Sequence, residues 1–141
     1  MIQIKLLGTA DAHVLHHIAE DVFDDPIVPS SASEFLQDSR HRLVVALDEE
    51  LVVGFVSAVI YLHPDKPAPE LWINEIGVAP THQRQGIGKA LMQTILDIAR
   101  QAGCAEAWVL TERDNLPAMA MYTSTGGAET PPDPVMFTFK L

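Results

Sequence analysis

The stretch Val78-Ala79-Pro80-Thr81-His82-Gln83-Arg84-Gln85-Gly86-Ile87-Gly88-Lys89 decides how this chain is read. A strand ends, a short turn follows, and a helix begins at the glycines. Gly86 and Gly88 lack a Cβ, so a bulky anion can come close to the backbone. The unpaired N–H groups of the helix's first turn, at the positive end of its dipole, then point at that anion. Arg84 and Lys89 add positive charge in a chain that has little of it. The segment reads as a pyrophosphate cradle. Two other phosphate motifs fail on spacing. A Walker loop needs Gly where Gln83 stands and Ser or Thr where Ala90 stands. The dinucleotide fingerprint needs a small residue at the position of Leu91.

Outward from the cradle, periodicity assigns the remaining elements. Ile87, Ala90, Leu91, Ile95, Ile98 and Ala102 fall on one face of a helix that Gly103 terminates. Before the cradle, Leu71–Val78 is a strand, preceded by a proline-rich loop at 63–69. Arg42–Leu47 and Leu51–Leu62 are two strands joined by the acidic turn Asp48-Glu49-Glu50. Ile2, Ile4 and Leu6 alternate as a short first strand. From Thr9, Val14, Leu15, Ile18 and Val22 recur at helical spacing until Pro26 and Pro29, and Ser31 with Glu34 forms a capping box for a second helix. After the cradle helix, Ala105–Leu110 is expected as a buried strand, Leu116–Thr125 as a short helix and Val135–Leu141 as a closing strand. The order β-α-α-β-β-β-α-β-α-β describes an α/β (α+β) layered domain around a mixed sheet.

At 141 residues, with no repeat, linker or low-complexity tract, the chain is expected to form one domain, 1–141. A formal net charge of −10, from 9 Lys+Arg against 19 Asp+Glu, argues against nucleic-acid or anionic-membrane partners. Cys104, the single cysteine, excludes an internal disulfide framework and reads as a core residue. No apolar run is long enough to span a bilayer, and the N-terminus lacks the features of a secretory signal, so a cytoplasmic protein is expected. His13 and His17 lie one turn apart without a third ligand, and no metal is expected.

The run Gln83-Arg84-Gln85-Gly86-Ile87-Gly88 matches the Gln/Arg-x-x-Gly-x-Gly/Ala signature, and the chain resembles the GNAT family of N-acetyltransferases well beyond it. Val78 and Pro80 before the signature, and Asn115, Ala118, Tyr122 and Gly126 after it, stand in the family's order. Within the family, the stretch 73–80 looks most like the aminoglycoside 3-N-acetyltransferase-like branch. The resemblance implies a mixed, mostly antiparallel sheet flanked by helices, acetyl-CoA as donor and a small-molecule primary amine as acceptor. It also implies that backbone groups of Ile76 and Val78 pair with the pantetheine arm. The amides of Arg84, Gln85, Gly86, Ile87, Gly88 and Lys89 would hold the pyrophosphate, and Asn115 would hydrogen-bond near the pantetheine. Tyr122 would sit near the sulfur. Family members often associate through late strands, which implies a homodimer. Where the family often has an aromatic, this chain has Gly127.

The chemistry follows from the reacting groups. A protonated amine cannot attack a thioester until a base removes a proton, and Glu75, three residues before Val78, is the candidate. The Val78 N–H would serve the oxyanion of the tetrahedral intermediate, and the Tyr122 hydroxyl the leaving thiolate. His63 and His82 lie in loops beside the site. The acidic groups Asp21, Asp24 and Asp25, with Glu112 and Asp114, would suit a polycationic acceptor such as an aminoglycoside or polyamine, or form a solvated rim. Two other functions stay open: a protein N-terminal or lysine acetyltransferase, and a non-catalytic acyl-CoA sensor.

Overall fold

Leu43 to Leu47 and Val52, Val53, Phe55 and Val56 are buried almost without interruption, so the two strands that carry them are covered on both faces. The computed structural model describes residues 1–130 and 134–141. It builds one five-stranded sheet in the order β1-β2-β3-β4-β5. These are β1 (Ile2–Leu6), β2 (His41–Asp48), β3 (Leu51–Tyr61), β4 (Glu70–Val78) and β5 (Glu106–Val109). The first four are antiparallel neighbours and β5 runs parallel to β4. The helices are α1 (Pro29–Gln37), α2 (Ile87–Gln101) and α3 (Leu116–Ser124), with 3-10 turns at Ala12–His16 and Pro80–His82.

α2 covers one face of the sheet. Its buried stripe is Ile87, Leu91, Met92, Ile95 and Ala99. The start of the helix lies across β3 at Gly54, where a Cβ would stand 3.3 Å from both Ile87 and Leu91 side chains. Contact that close leaves no room for a side chain on β3. The other face is covered by α1, where Phe35 packs on His41, and by the segment before it, where Phe23 stacks on Phe55 with ring centroids 3.9 Å apart.

α2 and α3 end alike. Gly103 and Gly126 take φ of +78° and +99°. Cys104 N donates to Ala99 O and Gly103 N to Arg100 O; Gly127 N donates to Tyr122 O and Gly126 N to Thr123 O. Both are paired six-to-one and five-to-two closures that satisfy the last helical carbonyls.

Four sequence expectations change. The helix from Thr9 through Val22 is only the 3-10 turn Ala12–His16. Beyond it, Ile18 pairs with Val52 as an isolated parallel bridge. Leu15 and Val22 are still buried, so the apolar spacing marked the core-facing residues correctly and the element wrongly. The reason is tertiary: β3 extends past the end of β4, and His17 O and Ala19 N satisfy the Val52 backbone groups left open there. α1 opens at Pro29 with no side-chain cap, rather than at a Ser31–Glu34 box, because Pro29 supplies a preset helical φ at the first position. β5 is half-buried rather than buried, being an edge strand. Residues 134–141 form no strand and expose Val135, Met136, Phe137 and Phe139.

Candidate active site

The site arises where β4 and β5 part. Ser57 pairs with Glu75 and Ala58 with Ile73, so Asn74 is an extra residue in β4, a bulge. The parallel pairing of β4 with β5 stops at Ile73 and Val109, immediately before that bulge. From Asn74 onward, β4 keeps β3 on one side and has no strand partner among the described residues on the other. Ala79 N donates to Val53 O at 2.8 Å, which sets the phase of the ladder. Glu75 and Gly77 turn their backbone groups to β3; Ile76 and Val78 turn theirs away from it, into the gap. An extended chain could pair there. Gln83 Nε2 donates to Val78 O at 3.2 Å and occupies one of those outward groups.

The gap is a cleft of about 820 Å³. The cradle forms one wall. Gly86, at φ +80°, is the N-cap of α2, and a Cβ there would meet nothing within 4 Å. Its glycine is required by backbone conformation and opens onto free space. Gly88 has a different reason: a Cβ would stand 2.8 Å from Met121 Sδ, so this glycine lets α3 close on α2. The first helical bond runs from Ala90 N to Gly86 O, which leaves the N–H groups of Ile87, Gly88 and Lys89 without helical acceptors. Arg84, held at φ +63°, and Lys89 are exposed and make no ion pair among the described residues. Unspent donors and two unpaired cations around open space suit an anion.

Tyr122 lines the cleft from α3, and burial pushes its phenol above the ordinary value of 10.0. The group therefore stays a proton donor throughout neutral pH. Its backbone carbonyl accepts from Gly127 N at 2.9 Å, and a Cβ on Gly127 would lie 2.9 Å from that same oxygen. A side chain at 127 would therefore require this turn to open by a few tenths of an ångström, although the matching closure of α2 carries Cys104 at the equivalent position. Glu75, exposed on β4, also lines the cleft. Asn115 lines it as well, but its side-chain oxygen accepts from Ala118 N at 3.3 Å and caps α3. Asn115 therefore has a structural task that the motif alone did not reveal.

The opposite wall carries Asp21 and Asp24. Asp25 instead borders a neighbouring cavity with His16 and Phe23, and Gln85, Glu112 and Asp114 are not among the lining residues. The structure therefore brings together Glu75, Ile76, Val78, Arg84, Gly86, Ile87, Gly88, Lys89, Asn115, Tyr122, Asp21 and Asp24 out of the residues singled out by sequence. It also brings His82, expected beside the site, into the cleft wall, and adds Asn74 and Phe55, which no motif indicated. Asn74 enters through the bulge, which exists only relative to β3. His82 is tied by Nε2 to Asp48 Oδ2 at 3.0 Å and by Nδ1 to Thr81 Oγ1 at 2.8 Å, joining the cradle turn to the β2–β3 hairpin. His63 lies away from the cleft, 2.7 Å from Glu70. Cys104 is outside it too, with its thiol pushed up by burial, which opposes any nucleophilic role. No group of three metal-ligating side chains occurs among the described residues, and no described helix is long and apolar enough to cross a membrane.

Comparison with known proteins agrees with this geometry. Residues 12–126 match the model of the "Acetyltransferase (GNAT) family". The N-alpha-acetyltransferase RimI of Mycobacterium tuberculosis is 32% identical over 127 residues, covering 89% of this chain and 77% of that protein. The human N-acetyltransferase 8 is 41% identical over 96 residues, 68% of this chain; that match spans about two fifths, 42%, of the human protein's length. Among solved structures, an aminoglycoside acetyltransferase from an uncultured soil metagenomic sample, in complex with sisomicin, superimposes with a TM-score of 0.83. It is 23% identical and the match covers 99% of this chain and 96% of that one. Cradle, splayed strands and sequence matches lead to one assignment: this chain belongs to the acetyltransferase (GNAT) family.

Proposed function

We propose that the protein transfers acetyl from acetyl-CoA to a primary amine of a small cationic acceptor. Enzymes of this family use acetyl-CoA as donor, and it supplies an activated acyl group on a thioester. The residues here suit it: N–H groups of Ile87 to Lys89 and the charges of Arg84 and Lys89 for the pyrophosphate, and the outward backbone of Ile76 and Val78 for the pantetheine arm. Glu75 takes the proton from the acceptor ammonium, directly or through a water, so that the free amine can attack the acyl carbon. The Val78 N–H donates to the carbonyl oxygen as charge grows there. As the carbon–sulfur bond breaks, the Tyr122 hydroxyl gives its proton to the sulfur and regains one from solvent, to which the attacking nitrogen releases its second proton as the amide forms.

The observation that carries this reading is the division of charge across one cleft: unpaired Arg84 and Lys89 on the α2 side, Glu75, Asp21 and Asp24 on the other. An anionic donor and a cationic acceptor would each meet complementary charge. Aminoglycosides and polyamines fit that acceptor side. A second reading, acetylation of a peptide N-terminus, draws on the RimI relative, which aligns over most of both chains. A homodimer would use the exposed apolar residues Val135, Met136, Phe137 and Phe139, and sedimentation of the purified protein tests it.

The test is melting with and without acetyl-CoA, followed by thiol release over polyamines, aminoglycosides and N-terminal peptides. Acetyl-CoA at about 100 times its Kd should stabilise the fold by about 2.7 kcal/mol and raise the melting point by several degrees. Acetylation of polycations with peptides inert supports the first reading; the reverse supports the second. Absence of a melting shift at saturating acetyl-CoA sinks both.

A further inference from the structure

The segment that walls the acceptor side is held against the sheet at two points. At its start, Ala19 N donates to Val52 O and Val52 N to His17 O, both at 2.9 Å. At its end, Phe23 stacks on Phe55 with an interplanar angle of 21°. Between these anchors Asp21 turns the chain at φ +58°, and buried Val22 follows. Val22 lies directly on β4: a Cβ on Gly77 would stand 2.5 Å from the Val22 carbonyl oxygen and 3.0 Å from the Phe55 ring.

Gly77 does not need glycine for its backbone. Its φ is outside the left-handed region that Gly86, Gly103 and Gly126 occupy. What excludes a side chain is the approach of another backbone, and that backbone carries Asp21 and Asp24 into the cleft. Gly77 sits between Ile76 and Val78, and its missing side chain lies on the face of the sheet opposite α2 and the cradle.

We propose that Gly77 is a positioning residue for the acceptor. By lacking a side chain it lets the backbone of residues 21–24 close on β4, and this closure sets the separation of Asp21 and Asp24 from Glu75. The proposal rests on the reading of the cleft as an acetyl-transfer site. A methyl group at 77 needs about 3.3 Å from a carbonyl oxygen, so the segment must retreat by roughly 0.8 Å. Carboxylates displaced on this scale hold a bound cation less well, while the thioester end of the cleft keeps its geometry. The cradle, on the other face, should not notice.

The test uses Gly77→Ala and Phe23→Ala in the full-length protein, with three readouts: the acetyl-CoA melting shift, KM and kcat for the best amine, and hydrogen exchange at the Ala19 amide. The expected result in both variants is an unchanged acetyl-CoA shift, an acceptor KM raised about 10-fold or more, kcat much less affected, and faster exchange at Ala19. An unchanged acceptor KM overturns the proposal, as does a parallel loss of acetyl-CoA binding, which would mark general damage to β4. If Gly77→Ala does not fold, Phe23→Ala decides alone, since it frees the segment without adding an atom to β4. If the wild-type protein binds acetyl-CoA and acetylates no amine, the functional reading fails separately. Exchange at Ala19 then decides this one, and unaltered protection in Gly77→Ala refutes it.

Discussion

The two walls of the cleft are built in opposite ways. The cradle is twelve consecutive residues, Val78 to Lys89, and its binding groups are mostly backbone N–H. The opposite wall brings residues 17–24 to Val52, Phe55 and Gly77, which are distant in sequence, and the charged groups it turns to the cleft are the side-chain carboxylates of Asp21 and Asp24. Each wall holds one non-glycine residue in the left-handed region, Arg84 at φ +63° and Asp21 at φ +58°. Such conformations persist only where the surroundings enforce them. For Arg84 the enforcement is local, the turn into α2; for Asp21 it is the pair of anchors on β3. Helix-start chemistry can thus be written in a short motif, whereas an acceptor wall can vary with any of several separate contacts.

Substitutions should separate these walls from each other and from the chemistry between them. The largest effect is expected from Tyr122→Phe, which leaves both walls intact. Removing a positioned proton donor should lower kcat by about 100-fold or more while the acetyl-CoA melting shift persists. If kcat holds, Tyr122 is only a packing residue. Gly86→Val tests the cradle alone. A β-branched residue at φ +80° costs about 1–2 kcal/mol, so acetyl-CoA affinity should fall by about 10-fold, with acceptor KM unchanged at saturating donor. Asp21→Asn and Asp24→Asn test the acceptor wall. Asn tolerates the left-handed conformation, so at position 21 the change removes charge and spares the backbone. Each should raise KM for a polyamine by about five-fold at low salt, with the difference shrinking as salt is added.

The pH dependence follows from Tyr122. Burial raises its folded pKa, so the neutral phenol is favoured in the native protein. The corresponding stability is fully present below the ordinary value of 10.0 and is lost as pH rises through the raised one. The kcat profile of the wild type should therefore show no ionisation of this tyrosine below about pH 10. A tyrosine-dependent fall nearer neutrality, absent in Tyr122→Phe, would contradict the burial. The smallest effect is expected at Trp108, which does not line the cleft. Trp108 stacks on Trp72 and donates to the Tyr61 hydroxyl at 2.5 Å. Trp108→Phe loses that hydrogen bond, should cost about 1 kcal/mol of stability, and should leave the kinetic constants alone.

The limits of the sequence reading follow the same division. Gly103 was legible as a helix end because a left-handed C-terminal residue is a local requirement. Gly86 and Gly88 were legible as a pair, yet their reasons differ: one is backbone conformation, and the other is the sulfur of Met121 on a different helix. Asn115 carried a motif but not its capping bond. The helical spacing of Leu15, Ile18 and Val22 named residues that pack inward, and still gave the wrong element, because the open backbone of Val52 recruited residues 17–19.

By itself the sequence determined the strands around Val44 and Val56, the amphipathic helix from Ile87, the glycine-flanked helix start and the family these imply. All of these depend on residues near one another in the chain, through periodicity, glycine conformation and unpaired helix-end donors. Only the tertiary structure decided where β4 leaves β5, which backbone groups of Ile76 and Val78 open into the cleft, and which carboxylates face it. A bulge, an edge and a close backbone approach are relations between segments. They appear only when Asn74 is counted against Ser57 and Gly77 meets Val22.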